Sequence, residues 1–205
     1  MANSLSVVIP AYNEEENIAT CLRNVDQSLR KLKTNDYEII VVDDGSTDRT
    51  GKIAKSFISK IPNLKIVTNK PNQGYGGSLK SGFAKSTKDW IVFFPADNQF
   101  DFSEMEKLLR KQEETGADIV SGVRTARQDP WHRRLVGWAW NTGLRALFGY
   151  LASDIDCGFK LFRRKILSQV RLTSNSALID TQLLAGARAR GLPVAEIPLT
   201  HFPRT

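Results

Sequence analysis

Short apolar runs, each ending in a cluster of polar residues, recur along this chain and leave few ways to fold it. Leu5-Ser6-Val7-Val8-Ile9 leads into Pro10-Ala11-Tyr12-Asn13-Glu14. Ile39-Ile40-Val41-Val42 leads into Asp43-Asp44-Gly45-Ser46, and Trp90-Ile91-Val92-Phe93-Phe94 into Pro95-Ala96-Asp97-Asn98-Gln99. Runs this short and this apolar read as buried strands. Between them the period changes. Ile18, Leu22, Val25 and Leu29 fall at helical spacing and predict a helix from Glu14 to Leu32. Ser46-Thr47-Asp48 supply capping residues for a helix running to Ile58, and Leu64 to Thr68 is a third strand. A helix from Ser78 to Lys85, a helix capped by Ser103 and ending at Thr115, and a fifth strand from Asp118 to Gly122 continue the pattern. Strands alternating with helices in this way predict an α/β fold, a mostly parallel central sheet with helices on both faces. Ligands of such sheets bind outside the carboxyl ends of the strands, which is where the polar clusters fall. After Gln128-Asp129-Pro130 the chain turns helical and aromatic, and it closes with a strand-like Val194 to Leu199.

Composition narrows the partners. The 205 residues suffice for one domain with a sizeable core. The net charge of +7 reads either as a generally basic surface or as a match for an anionic partner such as a nucleotide, a phosphate or an acidic membrane face. The basic residues are scattered and form no nucleic-acid motif, so nucleic acid is not expected as a partner. Cys21 and Cys157 lack metal-ligand spacing and read as reduced thiols of a cytosolic setting. His132 and His201 are too few for a histidine-based metal site. No apolar run approaches the roughly 20 residues of a membrane span. The N-terminus lacks the basic flank and apolar length of a signal peptide. The end at His201-Phe202-Pro203-Arg204-Thr205 carries no helix-ending signal and reads as a cut from a longer protein.

Each polar cluster suggests a task. In Asp43-Asp44 one carboxylate can cap the next helix while the other accepts bonds from a base or ribose. Tyr12 offers a ring for stacking on a base. The stretch from Pro95 to Gln99 presents a carboxylate and an amide at a strand tip, oxygen ligands suited to a hard cation carrying a diphosphate. Gln73-Gly74-Tyr75-Gly76-Gly77 resembles a phosphate-cradling loop. It lacks a Gly-Lys-Ser/Thr ending, and it follows the third strand where a dinucleotide fingerprint would follow the first. From Trp131 to Leu151, Val136, Trp140, Leu144, Leu147 and Leu151 form one apolar helical stripe. Trp138 falls on the opposite side near Arg134 and Arg145. That segment reads either as a core helix with a solvated basic back or as a surface where Trp and Arg meet lipid headgroups or the phosphate of a lipid acceptor.

Taken together, these clusters resemble a family-2 inverting glycosyltransferase of the GT-A, nucleotide-diphospho-sugar transferase fold. The matching stretches are Val8 to Glu14, Val41 to Asp48, Asn72-Gln73-Gly74, Ala96 to Gln99, Asp154-Ile155-Asp156-Cys157-Gly158-Phe159-Lys160 and His201-Phe202-Pro203-Arg204. The nearest subgroup is similar to the dolichyl- or polyprenyl-phosphate hexose synthases. The resemblance implies a single catalytic domain over 1–205, with a nucleotide-sugar half to about residue 125 and an acceptor half beyond it. It implies that Pro10, Ala11, Tyr12, Glu14, Val42, Asp44, Gly74, Pro95, Ala96 and Asp97 line the nucleotide-sugar site. Asp97, with Gln99, would hold Mg²⁺ or Mn²⁺, while Arg124, Arg134 and Arg204 would bind phosphates. Asp154 and Asp156 are the candidates for a base if the acceptor is a sugar hydroxyl, or for orienting groups if it is a polyprenyl phosphate, which is already anionic. The implied partners are a nucleoside-diphosphate sugar, UDP-glucose or GDP-mannose, and a lipid phosphate met by peripheral contact at the cytosolic face of a membrane. One departure stands out. The family usually carries a carboxylate two residues before Asp97, and here that residue is Pro95. The alternatives it opens are a metal held by fewer ligands, reliance on arginines, and a degenerate donor-binding module.

Overall fold

The computed structural model describes residues 4–32, 36–125, 142–143 and 146–203. Seven strands form one sheet. They are β1 (Ser4–Ala11), β2 (Asp36–Asp43), β3 (Leu64–Thr68), β4 (Trp90–Phe93), β5 (Ile119–Thr125), β6 (Lys160–Arg163) and β7 (Val194–Thr200). Their order is β3-β2-β1-β4-β6-β5-β7, parallel at every pairing except those of β6, which runs antiparallel to both neighbours. The helices are α1 (Ile18–Lys31), α2 (Thr50–Ser56), α3 (Gly74–Lys85), α4 (Met105–Thr115), α5 (Ile166–Gln169) and α6 (Leu178–Arg188).

The two faces of the sheet follow from side-chain alternation along each strand. Val7, Ile9, Ile39 and Val41 point to one face and are buried with Ile18, Leu22, Val25 and Leu29 of α1. Val8, Ile40 and Val42 point to the other and are buried with Leu79 and Phe83 of α3 and Leu183 and Leu184 of α6. Each fully buried aliphatic side chain contributes about 1.5–3 kcal/mol over exposure. The mostly parallel sheet covered on both faces is the architecture that the alternation predicts.

Several boundaries differ from the sequence reading, each for a local reason. The first helix starts at Ile18, four residues later than expected, because the segment before it is bonded sideways to the tip of β2. The amides of Asn17 and Ile18 close turns on Glu14. The α4 region is capped by Asp101, whose carboxylate accepts from the Ser103 amide at 2.9 Å, so Ser103 is the capped residue and Asp101 the cap. The glycine-rich stretch is the first turn of α3, where a loop was expected. Strand β6 occupies a stretch that carried no strand expectation.

Candidate active site

The β1 and β2 tips are tied to each other by side chains. Asn13 takes a positive φ of 53°, and its Oδ1 accepts from the Thr47 amide at 2.9 Å. Ser46 Oγ accepts from the Asn13 amide, Thr50 Oγ1 from the Glu14 amide and Asp48 Oδ2 from the Glu15 amide. Asp48 Oδ1 accepts from the Thr50 amide at the start of α2. Most polar residues of these two clusters are therefore scaffold. Tyr12 is the exception: its side chain remains 48% exposed at the tip of β1.

Asp44 is buried, 2% exposed, and joins the β2 tip to the loop that precedes α3. Its Oδ1 accepts from Asn69 Nδ2 at 2.7 Å and from the Gln73 amide at 3.0 Å. Asp43 Oδ1 accepts from the Ser46 amide at 3.1 Å, a local turn role. The stretch from Gly74 to Gly77, expected to cradle a phosphate, lies against a loop of the same chain. The Gly76 amide donates to Asn175 O at 2.9 Å. A Cβ on Gly74 would lie 2.7 Å from Asn175 O, and one on Gly76 would lie 2.5 Å from Ser174 O. These glycines let a backbone loop of the same chain press against the helix start. The Val42 side chain is fully buried under α3, which leaves its backbone as the part that would face a base. Ala11 and Ala96 are likewise buried, and Pro10 and Gly74 are half-buried.

At the tip of β4, Pro95, Asp97, Asn98 and Gln99 form a turn with half-buried side chains. Asn98 takes φ 56°, and its amide donates to Asn17 Oδ1 at 3.1 Å; Asn17 in turn donates to Glu14 at 2.8 Å. Asp97 Oδ1 accepts from the Gln99 amide at 3.1 Å. Burial raises the Cys21 thiol, and the charges of Asp97 and then Glu14 raise it further. Among the described residues no three His, Cys, Asp or Glu side chains cluster as a ready-made metal cage. Asp97 and Gln99 supply hard oxygen donors on one turn. That set fits a cation which takes one or two carboxylates and completes its shell with phosphate and water.

On the other side of the sheet centre, Asp154 is 5% exposed and bound in fork fashion by Arg124. Nε meets Oδ2 and Nη2 meets Oδ1, both at 2.7 Å, and the Arg124 amide adds a third bond. Burial pushes the Asp154 pKa up, but the guanidinium more than offsets this and holds the carboxyl below its usual value. A carboxylate so engaged orients Arg124 and is a poor proton acceptor. Asp156 is half-buried, and its charge is felt by Tyr75 and Asp180. Arg134 and Arg204 lie outside the described residues, as do His132, Trp131, Trp138 and Trp140. Sequence reasoning missed the buried Lys160–Asp180 pair, whose only signal was a lysine inside the apolar run Phe159-Lys160-Leu161-Phe162.

The family described as Glycosyl transferase family 2 matches residues 6–171. A dolichyl-phosphate beta-glucosyltransferase of Dictyostelium discoideum is 31% identical across 94% of this chain and 64% of its own length. An undecaprenyl-phosphate 4-deoxy-4-formamido-L-arabinose transferase of Enterobacter sp. (strain 638) is 34% identical across 98% of this chain and 61% of its own. The chain thus spans less than two thirds of these curated relatives. Among solved structures, glucosyl-3-phosphoglycerate synthase of Mycobacterium tuberculosis superposes with a TM-score of 0.75 at 23% identity, covering 99% of this chain and 73% of that one. That crystal contains Mn²⁺, UDP and glucosyl-3-phosphoglycerate. At this identity the likeness speaks for the fold, which is GT-A. Sequence match and fold agree that the chain belongs to glycosyl transferase family 2.

Proposed function

We propose that this chain is a single GT-A catalytic domain that moves a hexose, with inversion, from UDP-glucose or GDP-mannose to a polyprenyl or dolichyl phosphate. Residues up to about 125 hold the donor, and those from about 126 onward receive the acceptor. The observation that carries the reading is the Arg124–Asp154 fork. It offers a fixed cation on the acceptor side and a carboxylate too engaged to serve as a base, which suits a nucleophile that is already anionic. The names of the two relatives support the same acceptor class.

Tyr12 stacks on the base, and Asp44, fixed by Asn69 and Gln73, faces the ribose from the β2 tip. Asp97 and Gln99 would hold Mg²⁺ or Mn²⁺, which would supply positive charge to a diphosphate leaving group. Arg124 steers the acceptor phosphate, with Arg134 and Arg204 as further phosphate ligands. An acceptor phosphate oxygen bonds to the anomeric carbon while the bond to the nucleoside diphosphate breaks on the opposite face. Among the described residues no helix is long and apolar enough to cross a membrane. Leu147 at 77% exposure and Phe148 at 49% support peripheral contact with the lipid that carries the acceptor. The two free, buried thiols suit the cytosolic face.

Pro95 favours a second reading, a donor-binding module without transfer. Calorimetry with each donor, in Mn²⁺ and then in EDTA, followed by transfer to polyprenyl phosphate in vesicles, separates the two. Metal-dependent binding of one donor and formation of a lipid-linked sugar is the expected result. Binding without transfer to lipid phosphate or to sugar hydroxyls selects the module, and binding of neither donor overturns both.

A further inference from the structure

Lys160 has no exposed surface, a rare place for an ammonium group. It opens β6 at the sheet edge where the candidate site lies, opposite Phe93 of β4 and Ser121 of β5. Its Nζ stands 2.7 Å from Asp180 on α6, whose side chain is 1% exposed. The same Nζ donates to the Cys157 carbonyl and lies 5.3 Å from the centre of the Phe93 ring. Replacing so buried an ion pair with apolar residues is often neutral or stabilising, so stability alone is a weak reason for this one.

Its connections offer a better reason. Cys157 sits in the loop that carries Asp154 and Asp156. The next residue, Gly158, packs on the turn of Asp97: a Cβ there would lie 3.4 Å from the Pro95 ring and 3.9 Å from the Tyr75 hydroxyl. Burial first, and then the charge of Asp180, raise the Tyr75 pKa, and Asp156 adds to the effect. The pair therefore touches the loop on the acceptor side directly and the turn on the donor side through Gly158.

We propose that Lys160, held by Asp180, is a positioning residue that fixes the Asp154-to-Phe159 loop through the Cys157 carbonyl and so sets where Asp156 and the Asp154-bound Arg124 stand toward the acceptor. The proposal rests on the glycosyl-transfer reading, but part of its test does not. K160M alone would leave Asp180 charged and unpaired in the core, which destabilises whatever the role. The double variant K160M/D180L removes both charges. Its thermal midpoint and its donor affinity by calorimetry are expected to hold. Amide exchange across residues 154–159 is expected to quicken, and kcat to fall on the order of 100-fold, the scale of a small misplacement of reacting groups, with donor KM unchanged. Unchanged exchange, or unchanged kcat, overturns the proposal. If the wild-type protein transfers nothing, the proposed function fails on that result, and loop exchange still decides the role of Lys160. If the double variant does not fold, K160M/D180N removes both charges with less change of volume at residue 180 and carries the same two readouts, with quicker exchange and lower kcat expected and no change in either overturning the idea.

Discussion

Pro95 lies half-buried at the tip of β4 with its ring against Gly158. It offers no side-chain oxygen, so the proposed cation site would have Asp97 as its carboxylate and Gln99 as its amide. Hard-cation affinity rises with ligand charge. P95D is therefore expected to tighten Mn²⁺-dependent donor binding about tenfold in calorimetry. Loss of the ring from Gly158 should lower stability by about 1 kcal/mol, read as a drop in thermal midpoint. Unchanged donor affinity would show that a carboxylate at this position does not reach the cation. At this scale, what the sequence made legible was local. Asp97 and Gln99 share one turn with Pro95, so their chemistry reads directly from the run. Arg124 and Asp154 are 30 residues apart, and nothing in the sequence announces that each occupies the other. Strand alternation likewise turns the Val42 side chain under α3, which its own identity does not announce.

Among the elements, the edge of the sheet opposite the site is joined by one carboxylate. Glu38 on β2 is 3% exposed. It accepts from Ser6 Oγ on β1 at 2.7 Å, from the Thr87 amide ahead of β4 at 2.7 Å and from Lys65 Nζ on β3 at 2.5 Å. Burial pushes its pKa up, but the Lys65, Ser6 and Thr87 bonds outweigh burial and bring it down to about 2 from 4.5. A carboxyl depressed in the folded state stabilises above its unfolded value, and that contribution is lost as pH falls from about 4.5 towards 2. E38Q should therefore unfold at lower denaturant at pH 7, by about 1–3 kcal/mol. The gap to wild type should narrow by pH 3; a gap independent of pH would assign the effect to packing instead of charge. The elements with strong periodicity, β1 to β4 and α1, were legible because their own residues determine them. Strand β6 was not. It is only four residues long, and its fully buried Lys160 breaks the apolar pattern until Asp180, twenty residues on, is seen to neutralise it. The glycine-rich turn was read as a loop because glycine disfavours helix, whereas the tight approach of the Ser174-to-Ser176 backbone needs glycine there.

The whole molecule joins a half that local order determines to a half that depends on distant pairing. β3-β2-β1-β4 follow from successive strand–helix–strand units, whose crossovers admit one hand. β6, β5 and β7 take their places only through contacts remote in sequence; the sequence reading named strands at Asp118 to Gly122 and Val194 to Leu199 but no order for them. The two halves meet at the Asp97 turn. Beyond β7 the chain runs back to it: Thr200 donates to Glu104 through its amide at 2.9 Å, and the His201 ring stands 5.2 Å from that of Phe100. The Phe202 amide donates to Gln99 O at 2.9 Å, and Gln99 Nε2 donates to Phe202 O at 3.4 Å. The final segment thus braces the turn that bears the candidate cation ligands, quite apart from any phosphate contact made by Arg204. Truncation after Thr200 removes the two Phe202 bonds to Gln99, each worth about 0.5–1.5 kcal/mol. It should quicken amide exchange at residues 97–100 and weaken Mn²⁺-dependent donor binding about tenfold. R204A keeps the brace and removes only the guanidinium. Equal loss of affinity in both proteins, with exchange at the turn unchanged, would assign the effect to Arg204 alone. Loss in the truncated protein beyond that of R204A, with faster exchange, would show that the end of the chain shapes the metal turn as well as covering it.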